Sequence, residues 1–448
     1  MAVNILEEAV SVPGGANGSL IAYFEQSLQA RLSVGTAALR FAVVASDSSE
    51  YHCELGLLTT TSSREYQPEA SIFRFERRTS ETTDKFNAVV LVPTGIGAEI
   101  GGHAGDATAM VQLFAQICDL VVTHPNVVNA SDLNESPANS LYVEGSVICR
   151  LLMGTAGLQT VRANRQLVII DPHADPVFVT SAINAVNAAR STYGIDCRRI
   201  IKLDPPIKLR SHYSGSGRAV GEIDNLEYLY RVLSEFRGEY DAIALSSVIN
   251  VPIEYHQRYF DSRGAMVNPW GGVEAMLTHA ISSAFNVPSA HSPMFESQEI
   301  ANKDVGIVDP RMAAEAISVT FLQCILKGLH RSPRIVTSPE LLASSGVLSA
   351  SDIACLIIPD GCVGLPTLAA LEQGMKVIAV RENRNLMRND LMCLPWASGQ
   401  LYIVENYWEA AGVLCAIKAG IAPQAVRRPL QAVEVEAREY LAYSRSDC

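Results

Sequence analysis

The segment Ile357-Ile-Pro-Asp-Gly-Cys-Val-Gly-Leu-Pro-Thr-Leu368, continuing through Leu371-Glu-Gln-Gly-Met-Lys-Val-Ile-Ala-Val-Arg381, decides the fold class. An apolar run over Ile353–Ile358 ends in a glycine-bearing turn, and the spacing predicts a helix over 364–373. Gly374 is placed to cap that helix in a left-handed conformation, and Lys376–Val380 is a second apolar run. Two short apolar strands joined by one helix form a parallel unit, because a crossover of this length returns the chain in the same direction. Continuous apolar strands also require both sheet faces to be covered.

The same alternation extends outward on the N-terminal side. Strands are predicted at Asn87–Val92, Leu120–Thr123, Gln166–Ile170, Arg199–Leu203, Asp241–Ser246 and Ile335–Thr337, and a last one at Leu401–Val404. Helices are predicted near 106–119, 177–191, 224–236, 271–284, 311–328 and 406–419. Residues 1–85 differ: a helical spacing at Leu20–Leu32 is followed by short strands at Leu39–Ala45, Tyr51–Leu58 and Ser71–Phe75, then a polar stretch to Lys85. The expected fold class is α/β, with two Rossmann-like lobes of mostly parallel sheet preceded by a small α+β module. The expected divisions are 1–85, 86–215 and 216–448, the last boundary resting on the Gly/Ser-rich stretch Arg210–Arg218.

Composition narrows the function. Apolar residues make up 48% of the 448 and charged residues 18%, below the roughly 25% of an ordinary soluble chain. A chain this apolar can offset its ordering entropy by burial, so a disordered protein is excluded. The net charge of −12, with basic residues no more clustered than Arg77–Arg78 and Arg427–Arg428, argues against nucleic acid as partner. The longest apolar candidate, Met312–Leu329, is broken by Glu315, Gln323 and Lys327, so no membrane span is expected. The opening Met-Ala-Val-Asn-Ile-Leu-Glu-Glu lacks the basic region of a signal peptide. Ten cysteines are scattered without a Cys-x-x-Cys pair, which fits a reducing compartment, so a cytoplasmic location is expected. Low charge and apolar composition are compatible with a homo-oligomer.

In open α/β sheets ligands bind beyond the carboxyl ends of the strands, so the polar residues that follow each strand are the candidates. Pro93-Thr-Gly-Ile-Gly-Ala-Glu-Ile-Gly-Gly-His-Ala-Gly-Asp106 has five glycines in 14 residues, allowing amides to approach a phosphate or carboxylate, with the Thr94 hydroxyl beside them. Candidate ligand contacts there are Thr94, Gly95, Gly97, Gly101, Gly102 and Asp106; a crowded structural turn is the alternative. Gly-x-Gly-x-x-Gly fails by one residue, no acidic ribose partner follows the next strand, and there is no Gly-Lys-Ser/Thr, so neither a nicotinamide nor a nucleoside triphosphate is indicated. Past the strand Leu120–Thr123, His124 is a candidate acid or base and Asn126 and Asn129 are candidate substrate-orienting groups.

Three further segments carry polar groups. In Asp171-Pro-His-Ala-Asp175, Asp175 precedes Pro176 and is better read as a helix cap than as a ligand. In Asn268-Pro-Trp-Gly-Gly-Val-Glu274, the carboxylate falls in a first helical turn, where it favours the dipole. Trp270 reads as core and His279 falls off the face of Glu274, whereas His291 is the better site candidate. In the opening segment, Asp360 and Cys362 are candidate catalytic groups, the thiol because helix-terminus amides lower its pKa, and Gly361 and Gly364 are candidate anion contacts.

Together Pro-Thr-Gly-Ile-Gly-Ala-x-Ile-Gly-Gly-x-Ala-Gly-Asp (93–106), Thr-His-Pro-Asn-Val (123–127), Tyr-Val-Glu-Gly (142–145), Val-Asp-Pro-Arg-Met-Ala-Ala-Glu-Ala (308–316) and Gly-Leu-His-Arg-Ser-Pro-Arg (328–334) resemble an uncharacterised, mainly cyanobacterial and bacterial family catalogued as a domain of unknown function. The resemblance covers roughly 87–422 and implies no reaction, cofactor or catalytic residue. The segment 357–381 is similar, at fold level, to the C-terminal lobe of GT-B glycosyltransferases and nucleotide-sugar epimerases.

The expected function is a non-redox enzyme (transferase, isomerase, lyase or hydrolase) acting on a small anionic metabolite in a cleft between two lobes. His124, His291, Asp360 and Cys362 would be its reactive groups. No cofactor is specified and no metal ligand is assigned. One alternative is a metal enzyme using His103, His124, His173 and His291; another is a non-catalytic metabolite-binding or regulatory protein with 1–85 as a docking module.

Overall fold

The computed structural model describes residues 2–15, 18–32, 35–60, 68, 70–124, 136–319 and 321–437. Strand Asn87–Val90 is buried at every residue, and so is Ile353–Pro359. Each needs neighbours on both edges and cover on both faces, and the two lie side by side in parallel. From this central pair the chain winds outward in opposite directions. Leu120–Thr123 and then Ser140–Tyr142 add on one side, and Lys376–Val380 and then Leu401–Val404 on the other. Every pairing in this six-stranded sheet is parallel.

A second parallel unit, one end of a ten-stranded mixed sheet, repeats the scheme with Arg165–Ile170 beside Ala242–Asn250, Asp196–Lys202 outside the first and Ser289–Met294 outside the second. Helices Pro176–Tyr193 and Phe321–His330 pack against it. The fold is therefore α/β, with two Rossmann-like sheets. The units do not follow one another along the chain, however. The first sheet takes strands from both sides of residue 215, so the segments expected as 86–215 and 216–448 interleave, and the four parallel strands of the second unit are inserted within the first.

The N-terminal residues form the antiparallel strands Val3–Pro13, Thr36–Ser46 and Glu50–Thr60. Val3–Pro13 also pairs with Ala219–Asp224, and Thr36–Ser46 with the short strand Val363–Gly364, which ties this module to both parallel units. The stretch expected as a boundary is a hairpin instead: Lys208–Tyr213 pairs with Ala219–Asp224 across a turn. Its polar composition hides alternate burial, with Leu209 and Ser211 inward and the Ser211 hydroxyl bonded to the Pro269 carbonyl. Ser71–Phe75, expected as a strand, is a turn that places Phe73 against Phe41.

Local signals elsewhere hold. Asp175 accepts from the Val177 amide at 3.0 Å and caps helix Pro176–Tyr193, and Gly374 ends helix Leu365–Gln373 at φ +69°. The helix expected over 311–328 divides into Ala313–Ile317 and Phe321–His330, with Ser318 extended between them. Among the described residues no single helix is long and apolar enough to cross a membrane.

Helix Gly271–Phe285 lies across the hairpin and the N-terminal sheet. Its approach depends on Gly272, where a Cβ would stand 1.9 Å from the Ala219 carbonyl oxygen. Gly272→Ala is expected to lower stability by about 1–3 kcal/mol through overpacking against backbone that cannot yield. Chemical denaturation of the variant against wild type measures this, and an unchanged midpoint would contradict the packing.

Candidate active site

The carboxyl ends of four strands of the first sheet converge on one cleft. Leu91, Pro93, Thr94 and Ile96 follow the central strand; His124 follows the next; Glu144 and Gly145 follow the edge strand. Cys362, Gly364 and Thr367 follow the other central strand. This is the crevice of a doubly wound sheet, where the strand order reverses. Helix Gly271–Phe285 and strand Ser289–Met294 of the inserted unit form the facing wall, and Arg40–Ala42 of the N-terminal strand close it. The N-terminal module is thus part of the cleft wall. A second chamber, lined by His103, Asn268, Trp270 and Glu315, adjoins the first, and Thr94, Gly271, Glu274 and His291 belong to both.

Glu274 and His291 occupy this junction. His291 Nδ1 lies 2.9 Å from Glu274 Oε1, and its Nε2 lies 2.8 Å from the Ser247 hydroxyl. With Nδ1 donating to the carboxylate, Nε2 accepts the Ser247 proton. The residue types are those of a nucleophilic triad, but the serine is the closed end: Ser247 is 1% exposed and lines neither chamber. The Glu274 carboxylate, 20% exposed, is the end that faces the cleft. The arrangement therefore presents an oriented carboxylate base, not an activated serine.

On the first chamber's side, Glu144 caps helix Gly145–Leu152 through the Ser146 and Val147 amides at 2.9 and 3.1 Å, and its other contacts are the Ser146 hydroxyl and His279 Nδ1 at 3.3 Å. His279 Nδ1 also faces the Ala275 carbonyl, which leaves Nε2 toward Gly145, where a Cβ would come within 3.2 Å. Burial pulls the His279 pKa down against the pull of Glu144. It pulls His124 down to about 3, with neighbouring His279 adding to the effect. His124 is held neutral, a hydrogen-bonding group in place of a cationic acid.

The second chamber holds a carboxyl of the opposite kind. Glu315 accepts from the Tyr259 hydroxyl at 3.0 Å and from the Ala104 amide and Asn268 side chain at 3.3 Å each. Tyr259 in turn contacts His103 Nδ1 at 2.6 Å. Burial, reinforced by the Glu274 charge, pushes Glu315 up to about 7, so its proton is held close to neutrality. Burial lowers His103 to about 4. Asn268 binds this network together, because its oxygen also accepts from the Trp270 and Gly271 amides at the start of the helix that carries Glu274.

The sequence candidates fare unequally. His124, His291, Thr94, Gly364 and Cys362 line the cleft. Asn126 and Asn129 lie outside the described residues. The glycines of the turn face protein: a Cβ would stand 3.1 Å from Ala219 O at Gly95, 3.1 Å from Val267 at Gly97, 1.9 Å from Val92 at Gly101 and 2.3 Å from Ala98 O at Gly102. The crowded-turn alternative accounts for them. Asp106 accepts from the Gly101 amide at 2.8 Å and burial raises it to about 8, so it pins the turn as a neutral acid.

Asp360 accepts from the Gly361 amide and faces Arg381 at 3.8 Å; neither Asp360 nor Gly361 is a cleft residue. The Cys362 thiol is pushed up to about 12 by burial, which reverses the expected activation: removal from water outweighs the adjacent helix terminus. His173 is occupied by the Asp175 amide and the Phe295 carbonyl and leaves the proposed histidine cluster. No group of three or more His, Cys, Asp or Glu among the described residues has the geometry to hold a metal ion.

Sequence reasoning set aside Glu274 as a dipole partner and missed Glu144, Ser247 and Glu315. The motif segments 142–145 and 308–316 contain Glu144 and Glu315, the one available pointer to them.

The raised pKa of Glu315 has a sign. Its folded-state value lies above its ordinary value of 4.5, so the folded state binds the extra proton and loses stability as pH rises from about 4.5 through about 7. Glu315→Gln is expected to flatten this decline and to melt above wild type at pH 8. Melting temperature followed from pH 5 to 8 tests it; parallel curves for the two proteins would place the proton elsewhere.

An uncharacterized lipoprotein of Synechococcus sp. is 32% identical over 354 residues, spanning 76% of this chain and 92% of that protein. That description corrects the cytoplasmic location expected from the cysteines. The cysteines report packing: Cys53, Cys118, Cys197, Cys324, Cys355 and Cys362 are buried core residues whose separation does not depend on the compartment. No solved structure matches the chain. The family model described as protein of unknown function (DUF3326) matches residues 87–427, from the first central strand to beyond the last helix, and the chain belongs to that family.

Proposed function

We propose that this protein is an enzyme of small-molecule metabolism that carries out non-redox acid–base chemistry on an anionic metabolite in the cleft. The observation that carries the reading is a pair of unlike carboxyl groups, Glu274 at the junction of the chambers and Glu315 in the second chamber. Glu274 is held as hydrogen-bond acceptor by His291, and Glu315 keeps its proton near neutrality, partly because of the Glu274 charge. A carboxylate held by a histidine beside a carboxyl whose pKa is raised supplies the two roles of base and acid.

In this scheme Glu274 takes a proton from a substrate carbon or from a water, and the His291–Ser247 chain holds the carboxylate in place. Glu315 gives its proton to the oxygen on which negative charge develops. Tyr259 and Asn268 then donate to the carboxylate left behind, and His103 adjoins the Tyr259 hydroxyl. His124 and His279, both held neutral, offer hydrogen bonds without adding charge. Isomerisation, elimination and hydrolysis all use this pair of transfers.

Incubation with phosphorylated and carboxylated metabolites in deuterated water, followed by mass spectrometry, reads both turnover and proton exchange. Glu274→Gln is expected to slow the reaction about 10²–10⁴-fold with the fold intact. Glu315→Gln is expected to remove the alkaline limb of the pH profile. A rate indifferent to Glu274→Gln would overturn the assignment.

A further inference from the structure

Two arginines reach the first chamber from separate strands. Arg40, in Thr36–Ser46, and Arg218, at the hairpin turn, both line it, with side chains 13% and 4% exposed. Each is held on one edge by a buried carboxylate. Arg218 Nη1 lies 2.5 Å from Glu54 Oε2, and the other Glu54 oxygen accepts from the Ser214 and Ser216 hydroxyls at 2.8 and 2.6 Å. Arg40 Nη2 is paired with Glu7. The Nε of both arginines is buried and has no hydrogen-bond partner among the described residues. A buried donor without an acceptor costs about 1–3 kcal/mol, more when it is charged. Burial, joined by the Arg40 charge, draws the Arg218 pKa down to about 10, so the two guanidiniums oppose one another.

The same chamber is lined by Gly364, Pro366 and Thr367, the start of helix Leu365–Gln373. Gly364 is its N-cap and has no side chain to satisfy the first-turn amides, so the positive end of the helix opens on the space that the arginines line. The negative groups on the walls have other partners. Glu144 caps its own helix and contacts His279, and Glu274 is bonded to His291. The remaining surface is mainly apolar, with Phe41, Leu91, Ile96, Val363 and Met387.

We infer that this chamber is an anion subsite: a carboxylate or phosphate is held by Arg40, Arg218 and the N-terminus of helix Leu365–Gln373, with an apolar body lying toward Glu274. The inference rests on the cleft being the ligand site, but not on the cleft being catalytic. Of the two glycine-bearing turns expected to contact an anion, it keeps the one after the second central strand, through Gly364, and leaves out the one after the first.

Benzoate and phenyl phosphate carry the two anions on one apolar body, and benzyl alcohol is their neutral counterpart. Titration calorimetry on the full chain is expected to show one of the anions binding saturably, one per chain, and at least about tenfold more tightly than the alcohol. Whichever binds better identifies the headgroup. Arg40→Lys keeps a charge for Glu7 but loses the fork, and the double variant Arg218→Gln/Glu54→Gln removes a buried pair together. Each is expected to weaken anion binding about tenfold or more. If the double variant does not unfold cooperatively, Arg40→Lys alone supplies the measurement. Absence of saturable binding by both anions, or equal affinity in the folded arginine variants, would overturn the subsite. Glu274→Gln separates this from the catalytic reading. Anion binding that depends on the arginines, beside turnover indifferent to Glu274→Gln, removes the acid–base scheme and supports the subsite.

Discussion

The parallel contact between Asn87–Val90 and Ile353–Pro359 is the constraint on which the rest of the molecule depends. Both strands are buried throughout and neither tolerates an edge, so each takes the other as neighbour despite the long chain between them. Once they are joined, the outward winding on either side leaves one place where the connections part, at their carboxyl ends. Everything between them in sequence must leave and return on one side of that point. The inserted unit therefore supplies the wall opposite the crevice.

That geometry explains why so many ionisable groups meet there without forming a conventional charged cluster. Each has a specific partner: Glu274 with His291, Glu144 with a helix start and His279, Glu54 with Arg218, and Glu315 with Tyr259 and Asn268. Burial draws His124 and His103 down and pushes Cys362 and Glu315 up. The cleft combines an apolar surface with a few oriented polar groups, as ligand sites generally do.

The glycines illustrate how close approach serves the site indirectly. Gly271 and Gly272 let the helix bearing Glu274 press against Thr94 and the Ala219 carbonyl, where a Cβ would come within 2.1 and 1.9 Å. Gly101 and Gly102 let the turn fold on itself over Val92 and Ala98. Their absence of side chains brings backbone to backbone, and that contact sets the width of the cleft. A glycine-rich turn after a strand looks the same in sequence whether a ligand or another strand fills the space.

The sequence by itself determined the class and many of the elements. Periodicity marked most of the parallel strands, though not Ser140–Tyr142 or Ser289–Met294, Asp175 and Gly374 marked helix ends, and His124 and His291 were placed near a cleft, because such signals are carried by neighbours a few positions apart. Only the tertiary structure decided which strands share a sheet, that the polar run Arg210–Arg218 is a hairpin holding a buried arginine, and that Glu274 stands between the chamber lined by Arg40 and the chamber lined by Glu315. It also decided protonation, turning Cys362 from an activated thiol into a neutral one. The physical reason is the same in each case. Sheet order, burial and charge partners depend on residues distant in the chain, and nothing local in the sequence records the distance across a fold.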